Sequence, residues 1–291
     1  MIHRKAKIWL RALRVTHWSK NLLVYVAAIG AHQMGSLPAV QAATIAFAVF
    51  CLLASASYLI NDVLDVAADR QHVRKRLRPV AAGDISRSVA IAASVLLLVV
   101  AGAASLLLPS GFQALAATYF LVTLAYSLYL KRLLIVDIAV LSILFALRVF
   151  AGSEAIGVEV SFWLLIFSVF IFLSLALFKR YSETLGLEQE QIPGRAYQAV
   201  DAPMLAMLGC TCGMSAVLVL GLYIDSTIVQ ERYSNPLYVW LVLPIVLFWI
   251  ARIWILGGRR QLVDDPLAFA ARDVISWSCL ALFLLLVYLA I

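Results

Sequence analysis

The chain has 291 residues, 64% of them hydrophobic and 13% charged, with 23 Lys and Arg against 16 Asp and Glu for a net charge of +7. That composition cannot cover the surface of a water-soluble domain, and the basic surplus does not indicate nucleic-acid binding, because no soluble basic domain is present to carry it. The apolar residues fall in runs of about 20, the length that crosses about 30 Å of hydrocarbon as a helix. The sequence therefore predicts an all-α, polytopic membrane bundle forming a single domain over residues 1–291.

Nine spans are predicted, over 22–37, 39–60, 89–108, 112–130, 135–156, 162–178, 203–223, 237–256 and 274–291. Runs such as 163–178 are apolar all round, which suits helices and not the ten-residue alternation of a β-barrel. Ahead of the first span, residues 1–21 carry Arg4, Lys5 and Lys7. They resemble a signal peptide but show no small-residue cleavage site, so the segment is read as retained. His17 and Trp18 read as interfacial anchors, and Lys20 and Asn21 lie where the chain enters the membrane.

The second span ends in NDVLDVAAD, Asn61 to Asp69, within the polar segment 61–88. On a continuing helix, Asp62, Asp65 and Asp69 share one face at spacings of three and four. Three carboxylates so placed repel one another unless a cation lies among them, and hard oxygen donors suit Mg²⁺. The competing reading is an acidic, solvated helix end. Next come His72, Arg74, Lys75, Arg76 and Arg78, before a turn at Pro79 to Gly83. Such residues mark the cytoplasmic side and contact anionic lipid. Guanidinium groups beside metal-holding carboxylates also make a diphosphate clamp, with Arg78 the preferred member.

Around the next cytoplasmic turn stand Tyr126, Lys131, Arg132 and Asp137, with Arg148 inside the fifth span. Ionised groups at that depth face a bundle interior. Asp137 and Arg148 are about 16 Å apart along a helix, too far to pair, and Arg148 is either a bundle tie or part of a polar cavity. The second polar segment, 179–202, opens with Lys179, Arg180 and Glu183. Lys179 with Glu183 reads as a weak surface pair or, with Arg180, as a side of an anion pocket. Asp264, Asp265 and Asp273 precede the last span and read equally as a helix cap. Cys51, Cys210, Cys212 and Cys279 lie in apolar runs with no zinc-site spacing.

With the amino terminus inside, the inner connections hold Arg4, Lys5, Lys7, Arg11, Arg14, Lys20, Arg70, Arg74, Lys75, Arg76, Arg78, Arg87, Lys131, Arg132, Lys179, Arg180, Arg195, Arg259, Arg260 and Arg272, leaving only Arg148, Arg232 and Arg252. The positive-inside rule then predicts an integral cytoplasmic-membrane protein with its amino end inside and its carboxyl end outside.

NDVLDVAAD, the following RPVAAGDIS, the segment 126–131 and the nine spans together resemble the UbiA superfamily of intramembrane prenyltransferases over essentially the whole chain. The resemblance implies a UbiA-like fold, a diphosphate donor held through Mg²⁺ by Asn61, Asp62, Asp65 and Asp69, and a lipid-open cavity for a polyprenyl chain. Where aromatic prenyltransferases usually carry a second DxxxD motif, this chain reads KRYSETLGLE, with Glu183 or Glu188 as possible substitutes for one ligand. WSKNLLVY, NDVLDVAADR, LKRLLIVDIAVLSILFALR and LFKRYSE look instead like the decaprenyl-phosphate phosphoribosyltransferase branch. That branch implies phosphoribosyl pyrophosphate as donor and a polyprenyl phosphate as acceptor. By that resemblance Arg78 and Lys131 meet donor phosphate, Lys20, Lys179 and Arg180 meet phosphate of donor or acceptor, and Asp137 meets the ribose or the metal shell. The alternatives are a prenyltransferase acting on an aromatic or quinone-precursor acceptor and, in another class, a transporter or cation-binding membrane protein. Transporters place ionisable sites near the midplane, and here they gather at the inner mouth.

Overall fold

The computed structural model of the protein describes residues 2–71, 75–159, 161–185, 195–262 and 266–291. His72, Arg74, Glu188, Asp264 and Asp265 lie outside the described residues. Among those described, the regular elements are helices and none is a strand. The longer helices are α1 (Ile2–Ala12), α2 (Leu37–Leu64), α3 (Val66–Gln71), α4 (Arg87–Ser105), α5 (Ser110–Leu128), α6 (Val136–Ile156), α7 (Phe162–Leu185), α8 (Ala202–Ile224), α9 (Val242–Gly258) and α10 (Val274–Ala290).

Seven helical stretches among the described residues are long and apolar enough to cross a membrane: α2, α4, α5, α6, α7, Ala199–Ile224 and Pro236–Gly258. The two remaining predicted spans differ from that pattern. Residues 22–37 are not one helix. A 3₁₀ segment, Val15–Tyr25, passes into the single α-turn Val26–Gly30 and a second 3₁₀ turn, Gln33–Gly35. His32, in the left-handed region at φ 58°, stops the α-turn, and Ser36 is extended ahead of Pro38 in the first turn of α2. The last span is the 17-residue α10, short of the other seven.

The chain divides into two compact units, Met1–Leu130 with Leu147–Val160, and Lys131–Ala146 with Ser161–Ile291. In the first, α2 packs chiefly on α4 and also on the 3₁₀ segment and α5. A core of Ala12, Leu59, Val66, Val80, Ile85 and Ala90, covered by Ile8, Trp9 and Leu13 of the amino-terminal turn region, holds the lower end of α2 against α3 and the turn Pro79–Ala82. The outward side of α4 leaves Val95, Leu96 and Val99 more than half exposed, an apolar surface that suits lipid and not water.

In the second unit α7 and α8 make the most extensive pairing. Small residues permit it, as expected where backbones approach closely within a membrane. A Cβ on Gly209 would stand 2.2 Å from the Trp254 ring. Ser174 Oγ donates to the Gly209 carbonyl at 2.7 Å and accepts from Trp254 Nε1 at 3.1 Å. Two residues before Trp254 on α9, Arg252 grips Asp273 with two nitrogens at 2.7 and 2.9 Å. Asp273 is in turn the N-cap of α10, accepting from the Ser276 backbone N–H at 2.8 Å.

Candidate functional site

The first unit carries the acidic motif. Its helix does not run through: α2 ends at Leu64, and Asp65, at φ −90° and ψ 4°, separates it from α3. The break interrupts the continuous helix expected through Asp62, Asp65 and Asp69. Even so, helical hydrogen bonds meet at the break, from the Asp65 N–H to the Asn61 carbonyl at 2.9 Å and from the Asp69 N–H to the Asp65 carbonyl at 2.8 Å. Asp62 and Asp69 are each about 2% exposed. Arg78 Nη1 donates to Asp69 Oδ2 at 2.7 Å and to Asp62 Oδ1 at 3.3 Å, so two carboxylates from different helices converge on one nitrogen. Arg78 can do this because Pro79 begins the next helical turn and keeps Arg78 extended just before it, at φ −66° and ψ 140°.

A second guanidinium completes the cluster. Arg14 Nη2 donates to Asp62 Oδ1 at 2.6 Å and stacks 4.3 Å over the Tyr58 ring. Sequence reading placed Arg14 among the inner-face charges and gave it no role in the site. Its position follows from a left-handed backbone turn at φ 49° between α1 and the 3₁₀ segment, and no residue pattern announces that turn. Buried carboxylates need such partners, because an unpaired charge out of water is costly. Asn61 precedes Asp62 in α2, and Tyr126 lies near the end of α5.

Deeper in the same unit, Arg148 Nε donates to Asn21 Oδ1 at 2.8 Å and Nη2 to the Tyr119 hydroxyl at 2.8 Å. Asn21 also donates to Cys51 Sγ at 3.3 Å. Of the two roles open for Arg148, these contacts are those of a tie, joining α6, α5 and the 3₁₀ segment. Lys20, one residue before Asn21, is half-buried.

Lys131, Asp137, Lys179 and Arg180 belong to the second unit. Asp137 and Arg180 are both fully buried. Arg180 Nε donates to Asp137 Oδ2 at 2.7 Å, Arg195 Nη1 to the same oxygen at 3.2 Å, and the Tyr197 hydroxyl to Asp137 Oδ1 at 2.5 Å. The Tyr197 hydroxyl also accepts from the Ile135 N–H at 2.9 Å. Burial, reinforced by the hydrogen bond to the Asp137 carboxylate, pushes the Tyr197 phenol above its ordinary range. Glu183 pairs with Arg180 one helical turn away and lies 3.8 Å from Arg195. Two acids and two guanidiniums thus compensate each other across α6, α7 and the segment before α8. Lys179 and Lys131 are half-buried. Arg195 and Tyr197 were not singled out from sequence, since both are remote in the chain from Asp137.

Among the described residues no three His, Cys, Asp or Glu side chains gather as a metal-holding group. The convergent pair Asp62 and Asp69 nonetheless fits Mg²⁺, which characteristically takes one or two protein carboxylates and completes its shell with waters and substrate phosphates. The adjoining guanidiniums of Arg14 and Arg78 are suited to phosphate oxygens, which they can engage bidentately. The chemistry available here is recognition of a polyanionic phosphate group and stabilisation of charge as it departs.

Comparison with known proteins supplies the family. The model of the UbiA prenyltransferase family matches residues 21–272, and the chain belongs to that family. It is thus a UbiA-family transferase. Among relatives, protein y4nM of Sinorhizobium fredii is 37% identical over 93% of this chain, which spans about half, 53%, of that longer protein. Nodulation protein NoeC of Azorhizobium caulinodans is 31% identical, with 97% of this chain and 92% of that protein covered. A decaprenyl-phosphate phosphoribosyltransferase of Mycobacterium tuberculosis is 31% identical, with 91% and 87% covered. A solved UbiA homolog from Archaeoglobus fulgidus, bound to GPP and Mg²⁺, shares the fold with a TM-score of 0.72 at 17% identity, over 97% of this chain and 99% of that one.

Proposed function

We propose that the protein is a Mg²⁺-dependent membrane transferase that moves the phosphoribosyl group of phosphoribosyl pyrophosphate to the phosphate of a polyprenyl lipid and releases pyrophosphate. The observation that carries this reading is the convergence of Asp62 and Asp69 on Arg78, with Arg14 alongside. The likeness to a named decaprenyl-phosphate phosphoribosyltransferase over nearly its whole length supports the donor and acceptor. So does the state of the α7 end, where Glu183 and Asp137 are engaged by Arg180 and Arg195 and do not form a second acidic pair for a cation.

In this reading Asp62, Asp65 and Asp69, with Asn61 beside them, hold Mg²⁺. The ion when bound supplies Lewis-acid neutralisation of the diphosphate. Arg14 and Arg78 shift their hydrogen bonds from carboxylate to phosphate oxygens; Arg14 holds the donor diphosphate equally before and during transfer, and Arg78 stabilises the leaving pyrophosphate. The acceptor phosphate is already anionic, so positioning and not a strong base is required of the protein. Lys20 and Tyr126 of the first unit, and Lys131 and Lys179 of the second, are proposed as further phosphate contacts of their own units. Arg180, by contrast, is best suited to keeping Asp137 in place. We read the broken segment 22–37 and the 17-residue α10 as the eighth and ninth spans, with the amino end cytoplasmic and the carboxyl end outside.

The test offers phosphoribosyl pyrophosphate and geranyl diphosphate separately to membranes containing the full chain, with Mg²⁺, polyprenyl phosphate and an aromatic acceptor present. A ribosylated lipid phosphate is expected. A prenylated aromatic product with an inert ribosyl donor overturns the donor assignment, and no pyrophosphate from either donor overturns the transferase mechanism proposed for this site.

A further inference from the structure

The 3₁₀ segment Val15–Tyr25 runs for 11 residues, whereas such helices rarely exceed three or four because their hydrogen bonds are strained. A run of that length depends on external contacts for its register. At three residues per turn Trp18, Asn21 and Val24 stack on one side, and each is held. Trp18 Nε1 donates to Ser55 Oγ at 3.1 Å. Asn21 is fastened by Arg148 at 2.8 Å and by Cys51 at 3.3 Å. Val24 is fully buried, and its carbonyl oxygen lies where a Cβ on Gly152 would be, 2.0 Å away. Arg148 and Gly152 are one turn apart on α6 and meet successive turns of the 3₁₀ segment. The other end of that segment is Arg14, whose left-handed backbone aims its guanidinium at Asp62.

We infer that Arg148 and Gly152 are positioning residues for the donor-binding cation Arg14: α6 sets the register of the 3₁₀ segment, and the segment sets where Arg14 stands. In a 3₁₀ helix one residue of slip turns every side chain by a third of a circle, which removes Arg14 from Asp62. This inference rests on the diphosphate-site reading above and assigns Arg148 no contact with substrate.

The experiment uses the full chain in membranes, varying phosphoribosyl pyrophosphate at saturating Mg²⁺ and polyprenyl phosphate, together with equilibrium binding of inorganic pyrophosphate to the purified protein. Loss of one charge-assisted contact is expected to raise the donor KM, and the pyrophosphate Kd, about tenfold in Arg14→Ala. Arg148→Gln and Gly152→Ala are expected to produce the same rise with kcat per folded molecule retained, because only uniform binding is lost. The double variant Arg14→Ala/Arg148→Gln is expected to be no worse than Arg14→Ala, and Arg148→Lys to recover part of the loss. A merely structural role lowers the folded fraction, and hence maximal rate, at unchanged KM; that result, or multiplicative effects in the double variant, overturns the positioning role. An unchanged KM and Kd in Arg14→Ala itself overturns the diphosphate site, a distinguishable failure.

Discussion

At the level of single residues, the acidic motif is divided by environment. Asp62 and Asp69 are buried and paired, whereas Asp65 sits at the helix interruption and is half-buried. Asp62→Ala and Asp65→Ala are each expected to abolish turnover while membrane insertion, measured by fractionation and alkaline extraction, is preserved. Activity retained in both removes the metal assignment. Asp273 gives a separate prediction. Its hydrogen bonds from Arg252, and next those from Ser276, hold its carboxyl below the ordinary carboxylate range despite partial burial. A carboxylate with a lowered folded pKa contributes stability that is present above its unfolded value, near 3.9, and is lost as pH falls through the folded value. Asp273→Asn is therefore expected to lose stability at neutral pH and to flatten the acid side of the thermal-midpoint curve below about pH 4. The motif residues were legible in the sequence because carboxylates and guanidiniums are conspicuous in an apolar chain. Arg14, Arg195 and Tyr197 were not, because what makes each of them matter is a partner 48, 58 or 60 positions away.

Elements show the same division between local pattern and packing. Hydropathy located α2, α4, α5, α6 and α8 to within a few residues and found α7 and α9, though α7 runs on seven residues past the predicted end, since a run of apolar side chains long enough to cross hydrocarbon has few alternatives. It could not show that the helix would stop at Asp65, or that 15–25 would adopt 3₁₀ geometry, because both outcomes depend on contacts made elsewhere. The α7, α8 and α9 packing is tight at Gly209, where Trp254 is already held by Ser174 and lies 5.2 Å from the Phe178 ring. Gly209→Ala is expected to destabilise the protein by about 1–3 kcal/mol through overpacking, read as a lowered unfolding midpoint in detergent. The buried Asp137 and Arg180 pair ties α6 to α7. Removing one partner strands a charge, so Asp137→Asn is expected to cost about 3–5 kcal/mol. The double variant Asp137→Asn/Arg180→Met is expected to recover part of that, because a packed apolar replacement removes the desolvation cost as well. A double variant less stable than either single one contradicts the pairing.

Across the whole molecule, the surplus of positive charge resolves into two kinds of cation. Lys5, Lys7, Arg11, Arg70, Lys75, Arg76, Arg87, Arg259 and Arg260 are exposed or nearly so, and their expected work is to orient the chain and meet anionic headgroups. Arg14, Arg78, Arg148 and Arg180 instead meet buried side chains, Asp62, Asp69, Asn21 and Asp137, inside one unit or the other. The proposed orientation has a direct check in a background lacking the four native cysteines. Gln261→Cys is expected to react with a membrane-impermeant thiol reagent only after the inner face is opened, and Glu231→Cys in intact cells. The reverse pattern inverts the topology.

By itself the sequence determined that this chain lives in a membrane, that it is helical, and that its ionisable groups concentrate at the ends of particular spans. Those properties follow from hydrocarbon solvation and backbone hydrogen bonding, which act locally along the chain. Only the tertiary structure decided which ionised groups meet. A buried charge takes whatever partner the packing brings within about 3 Å, and neither Arg14 on Asp62 nor Tyr197 on Asp137 is encoded by spacing along the chain. It was packing, too, that made Arg148 a tie between helices and left Arg78 and Arg14 beside the carboxylates.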